Sequence, residues 1–217
     1  MRGKLSVVLV LVAGPLTAQS GSTRLAGRVP ASVLPAIDSI IGTALAESLP
    51  TEPLVQKALE GSAKNIPPDR LVSGVRRGLL QLRQARIIVS HAVPQGQPVP
   101  EGHVAAVAAA LARGLPGPIV ERLLAMAPNE PPGPVLHAAA DLVAHRFNPD
   151  SAVELLLEAH NKGLRGVRLL DVAVAADHEL QRPGGRTPAE AMAHVRAMLP
   201  NVPVPESAVT RHGTKGS

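Results

Sequence analysis

His137, Asp141 and His145 recur at i, i+4 and i+8, which on a helix stacks an imidazole, a carboxylate and a second imidazole along one face. Such side chains ligate zinc or another divalent cation, and two neighbours of the row plus a donor from a second helix would complete a site. The zincin spacing, with a glutamate between paired histidines, is missing. Without a metal the row is a polar face on which Asp141 bridges two histidines. A second cluster is Asp177-His178-Glu179, followed by Gln181, Arg182 and Arg186. A carboxylate beside a histidine would tune it as an acid or base near neutral pH. Adjacent helical residues diverge by about 100°, so the expectation is a solvated last turn. Glu158 with Lys162 and Glu190 with His194 are i,i+4 pairs that would support helix surfaces.

Arg70, Arg76, Arg77, Arg83 and Arg86 crowd one stretch, and an arginine face of that kind would contact phosphate, acidic envelope polymer or anionic lipid. Single-strand binders add aromatic stacking platforms, and the chain has no Trp and no Tyr to supply them. No duplex-binding module is recognisable either, so nucleic acid is not the expected partner. The sequence also lacks a nucleophile elbow, a phosphate-binding loop, a dinucleotide glycine fingerprint and a calcium-loop spacing. Zero Cys excludes disulfides, thiolate metal sites and cysteine nucleophiles.

The elements that must position these side chains are helices. The chain has 217 residues, 45% of them hydrophobic and 18% charged, with a formal net charge of +5, which suits a globular domain rather than a wholly disordered chain. From Val33 onward apolar residues recur at helical spacing in blocks opened by Pro, Thr or Asn and closed by Gly or Pro. These blocks predict helices near 35–48, 53–61, 68–89, 101–113, 117–127, 133–146, 149–162, 165–180 and 188–199. No alternating strand pattern of useful length competes. Thr187-Pro188-Ala189-Glu190 has the form of a capping box, and Asn148-Pro149-Asp150 offers an N-cap oxygen. Gly61, Gly114 and Gly163 stand where left-handed helix terminators are wanted. The block 165–180, apolar along Val167, Leu170 and Val174 and again along Leu169, Val172 and Ala176, is the expected central helix. Phe147, just before Asn148-Pro149, reads as a helix-end staple or core plug.

The N-terminus reads as an export signal. Arg2 and Lys4 precede the apolar run Leu5 to Val12, and the small-residue site Leu16-Thr17-Ala18 places cleavage before Gln19. That run is much shorter than the ~20 apolar residues of a membrane span. Residues 19–32 read as a flexible leader, 33–199 as the helical domain with a hinge near 91–102, and 200–217 as a disordered tail.

An internal repeat is visible. Ala44-Leu45-Ala46-Glu47-Ser48-Leu49-Pro50 returns as Ala110-Leu111-Ala112-Arg113-Gly114-Leu115-Pro116, and Pro53-Leu54-Val55 returns as Pro118-Ile119-Val120. Each copy has an apolar stripe it cannot cover alone, so the copies must stack. The stretch Leu49-Pro50-Thr51-Glu52-Pro53 through Lys64, then Pro68-Asp69-Arg70-Leu71, resembles a segment common in uncharacterised exported bacterial proteins of helical-repeat type. That resemblance implies export and a helical fold, and no activity. The sequence therefore predicts an all-α multihelical array of imperfectly repeated short helices, solenoid-like or an orthogonal bundle. It would be periplasmic or secreted, without a cofactor, and would offer a protein or peptide partner a groove in the cell envelope. The alternative is a divalent-metal-binding protein or metal-dependent hydrolase built on His137, Asp141 and His145.

Overall fold

Proline and a left-handed residue decide where most of these helices stop and start. The computed structural model describes residues 23–199 apart from 183 and 185, so the expected export signal, the start of the expected leader and the expected tail lie outside the described residues. Within them every regular element is helical. From Leu34 onward these are, in chain order, α1 (Leu34–Ala46), α2 (Glu52–Ala63), α3 (Pro68–Ala92), α4 (Glu101–Ala112), α5 (Gly117–Met126), α6 (Gly133–Ala144), α7 (Pro149–Asn161), α8 (Arg168–Gln181) and α9 (Pro188–Met198). Each coincides with a predicted block to within a few residues at its ends. No helix among the described residues is long and apolar enough to cross a membrane.

Five helix ends share one geometry. After α1, α2, α4, α6 and α7 comes a left-handed residue (Ser48, Asn65, Gly114, Arg146 and Gly163, with φ between 53° and 91°). The next residue, Leu49, Ile66, Leu115, Phe147 or Leu164, donates its N–H to the carbonyl five residues back, at 2.9–3.1 Å. The left-handed residue donates to the carbonyl three back, at 2.9–3.0 Å. This is the Schellman motif, which satisfies carbonyls that the ending helix would otherwise orphan. Leu49, Leu115, Phe147 and Leu164 are also buried, so each stop plugs the core with its own apolar side chain. Proline follows at positions 50, 67, 116 and 149 and keeps the chain from continuing helically.

Two terminators deserve correction or a test. Gly61 does not terminate α2: it lies inside that helix, and the left-handed residue there is Asn65. The glycine answers a packing need instead, since a Cβ at position 61 would stand 2.5 Å from Leu71 Cδ1. Arg146 carries a side chain at φ 65°, where the equivalent positions 114 and 163 carry none. Arg146→Gly should therefore stabilise the protein by about 0.5–1 kcal/mol, relief of left-handed strain outweighing the entropy glycine adds to the unfolded chain. A higher urea midpoint at unchanged m-value is the expected result, and a lower midpoint would refute it.

By its contacts the chain divides into two compact units, with the boundary inside α3 at Leu79–Leu80. In the first, α1 packs on α2, burying Ile37, Ile40, Leu54, Val55 and Ala58. In the second, α6 touches α4, α5, α7 and α8, while α9 covers α8 and α7. The central helix is thus α6 rather than α8. Only one of the two apolar sides of α8 is buried, through Leu169, Val172, Ala173 and Ala176. Val167 and Val174 on the other side are 70% and 67% exposed. The physical reason is bulk: α6 carries Ala138, Ala139 and Ala140 in succession, and such small side chains let neighbours approach from several directions at once.

Candidate functional site

His137 and Asp141 occupy the solvent-facing arc that α6 keeps after burying Val135, Leu136, Ala138, Ala139, Ala140 and Leu142. Arg113, the residue after α4, reaches across and clasps Asp141 Oδ1. His137 Nε2 lies 3.3 Å from Asp141 Oδ2, and Arg113 Nη1 lies 3.4 Å from His137 Nδ1. One tautomer satisfies both contacts, with Nδ1 accepting from the guanidinium and Nε2–H donating to the carboxylate. In that tautomer neither imidazole nitrogen retains a lone pair for a metal. His145 does not extend the row, because it lies past the helix end and its Nδ1 stands 3.1 Å from Asp177 Oδ1 on α8. Asp177 also accepts from Gln181 at 2.5 Å. Among the described residues no three His, Asp or Glu side chains converge as a metal set.

The Asp177-His178-Glu179 stretch splits three ways. Asp177 serves His145 and His178 is exposed. Glu179 departs from the sequence expectation: it is not solvated but 2% exposed. Arg186 clasps its Oε2, Arg182 Nε lies 3.2 Å from Oε1, and His194 Nε2 of α9 is 3.8 Å from Oε2. The sequence signal for this was present in two arginines at i+3 and i+7, close to a helix end with room to fold back. The paired helix supports also rearrange. Glu158 faces Arg196 Nε at 3.0 Å, not Lys162, and Glu190 closes the capping box on Thr187, leaving His194 to Glu179.

Another carboxylate, Glu130, accepts from Arg165 at 2.7 Å beside the buried His160, whose Nε2 lies 3.3 Å away. The Arg165 hydrogen bond, more than the adjacent histidine, holds the Glu130 carboxyl below the usual range. Glu52 is lowered likewise by its bonds from Arg24 and Gln56. The described carboxylates in these clusters are therefore committed to cross-links between segments. A cleft of about 430 Å3 lies beside the first turns of α7 and α9. Two of its polar groups are engaged in capping: Asn148 Oδ1 accepts from the Asp150 and Ser151 amides, and Thr187 Oγ1 accepts from the Glu190 amide.

No family model matches the chain. Neither a curated protein nor a solved structure matches it.

What the committed polar clusters leave over is surface. On α3, Arg70, Arg76, Arg77, Arg83 and Arg86 are all exposed, and Arg83 and Arg86 already have interactions. Leu80 and Ile87 of the same helix are 56% and 59% exposed and lie seven residues, about two turns, apart. Val167, the N-cap residue of α8, and Val174, midway along it, have the same seven-residue spacing.

Proposed function

We propose that this protein is an exported, non-catalytic helical module that binds a protein or peptide partner in the cell envelope. The observation that carries the reading is the pair of exposed aliphatic couples, Leu80 with Ile87 and Val167 with Val174. Large aliphatic side chains seven residues apart lie along a single line of a helix and are the spacing by which one helix grips another. Asp141, Glu130, Glu179 and Glu190 favour the same reading, because arginines or a helix cap already occupy them and a substrate would have to displace those partners.

The test is capture from a native envelope extract on immobilised full-length chain. One saturable partner, retained in the presence of chelator, is the expected result. Elemental analysis finding one equivalent of metal, lost on His137→Ala, would overturn the reading, as would an extract that yields no saturable partner.

A further inference from the structure

From the charge on α3 and its exposed aliphatic couple, we infer that the outer face of α3 is a docking seam for an acidic amphipathic helix of the partner. The inference rests on the binding role proposed above and names the chemistry of what is bound. Helix α3 runs for 25 residues, about 37 Å at the ordinary rise per residue. Its single acid, Asp69, stands in the first turn, and the rest of the helix has Arg70, Arg76, Arg77, Arg83 and Arg86 without one carboxylate. That is a formal charge of +4 on one helix of a chain whose total is +5.

Position gives the charge its use. Arg76, Arg77, Arg83 and Gln84 are the residues four and three before, and three and four after, Leu80, so they are its neighbours on the helix surface. Arg76 and Arg83 flank the Leu80–Ile87 line on one side, Arg77 and Gln84 on the other. A narrow apolar line with basic borders is the complement of a helix bearing leucines along one line and glutamates beside them.

Two other occupants fit less well. A second copy docked through this face would set arginines against arginines. A lipid surface wants a broad apolar face to bury, and on α3 the broad face of Leu71, Val75, Leu79, Leu82, Ile88 and Val89 is already inside the protein. Two side chains remain for the outside.

The experiment titrates full-length protein against a fluorescent helical peptide of about three heptads, leucine along one line and glutamate beside it. Its comparators are a scrambled peptide of the same composition and phosphatidylcholine vesicles containing phosphatidylglycerol. Saturable binding of the patterned peptide is expected. It should weaken at least about tenfold for Arg76→Glu/Arg77→Glu and about tenfold for Leu80→Ser/Ile87→Ser. A peptide with lysine in place of glutamate should prefer the Arg76→Glu/Arg77→Glu protein to the wild type. All four residues are exposed, so unchanged helicity and melting temperature are expected and checked first. Equal affinity for the scrambled peptide, binding to the vesicles alone, indifference to both variants, or no binding would each overturn the seam. An envelope partner captured equally by wild type and variants would leave the binding role standing and remove only this inference.

Discussion

An Arg182→Met/Arg186→Met variant should lose about 3 kcal/mol of stability, while Glu179→Leu should change it by less than about 1 kcal/mol. The asymmetry follows from where each charge ends up. Glu179 is 2% exposed, whereas its two arginines keep 48% and 34% of their side-chain surface in water. Delete the carboxylate, and both guanidiniums turn outward to solvent while leucine fills the apolar space with similar volume. Delete the arginines, and a carboxylate is left inside with no guanidinium and only the His194 Nε2 facing it, 3.8 Å away. That group must either stay charged without adequate pairing or take up a proton on folding, and both are costly. At this chain length the double variant should melt roughly 6–12 °C lower, at about 2–4 °C per kcal/mol. Combining Glu179→Leu with the two methionines should recover most of the loss, since the buried charge is then gone. A double variant as stable as the wild type, or a Glu179→Leu protein less stable than it, would refute this account of the cluster.

The helices were legible because their signals are local. Each start needs a cap or a proline and each stop a left-handed residue before an apolar one, and all of these lie within a few residues of one another. Thr187 with Glu190, Asn148, Gly114 and Gly163 do in the structure what their spacing implies. Phe147 plugs the core as its place before Asn148-Pro149 suggests. Serine, asparagine and arginine at the other left-handed stops are what concealed the regularity, because only glycine advertises that conformation in a sequence. Long-range pairings were not legible. Spacing on one helix put Asp141 between His137 and His145, but it carried no information that Arg113 would arrive from α4 or that Asp177 would take His145. The same blindness hid Glu179: polarity alone marks a last turn as solvated, and only the fold-back of Arg186 and the approach of α9 make burial of that carboxylate tolerable. Burial of α8 falls short of its sequence pattern for a related reason, since hydrophobicity on two sides states what a helix can bury and not how many neighbours come to cover it.

How tightly α6 is enclosed gives the other large effect. Leu136→Ala should cost about 3 kcal/mol, the usual penalty for emptying a fully enclosed leucine site whose surroundings cannot collapse. Ala139→Leu should cost about 2 kcal/mol although it adds apolar surface, because position 139 is fully buried and the new side chain can enter only by pushing a neighbouring helix outward. The two substitutions together should not cancel. Residues 136 and 139 lie one turn apart, and their side chains point in directions that differ by about 60° on the helix, so the space vacated by one is not the space demanded by the other. Val174→Ala, on the outward side of α8, should stay within about 0.5 kcal/mol of wild type. Chemical denaturation of the three single variants and the double variant reads all of this in one series. If Val174→Ala proved as damaging as Leu136→Ala, α8 and not α6 would be the enclosed helix. If Ala139→Leu were neutral, the alanine run on α6 would be a loose surface and close approach of its neighbours would need another explanation.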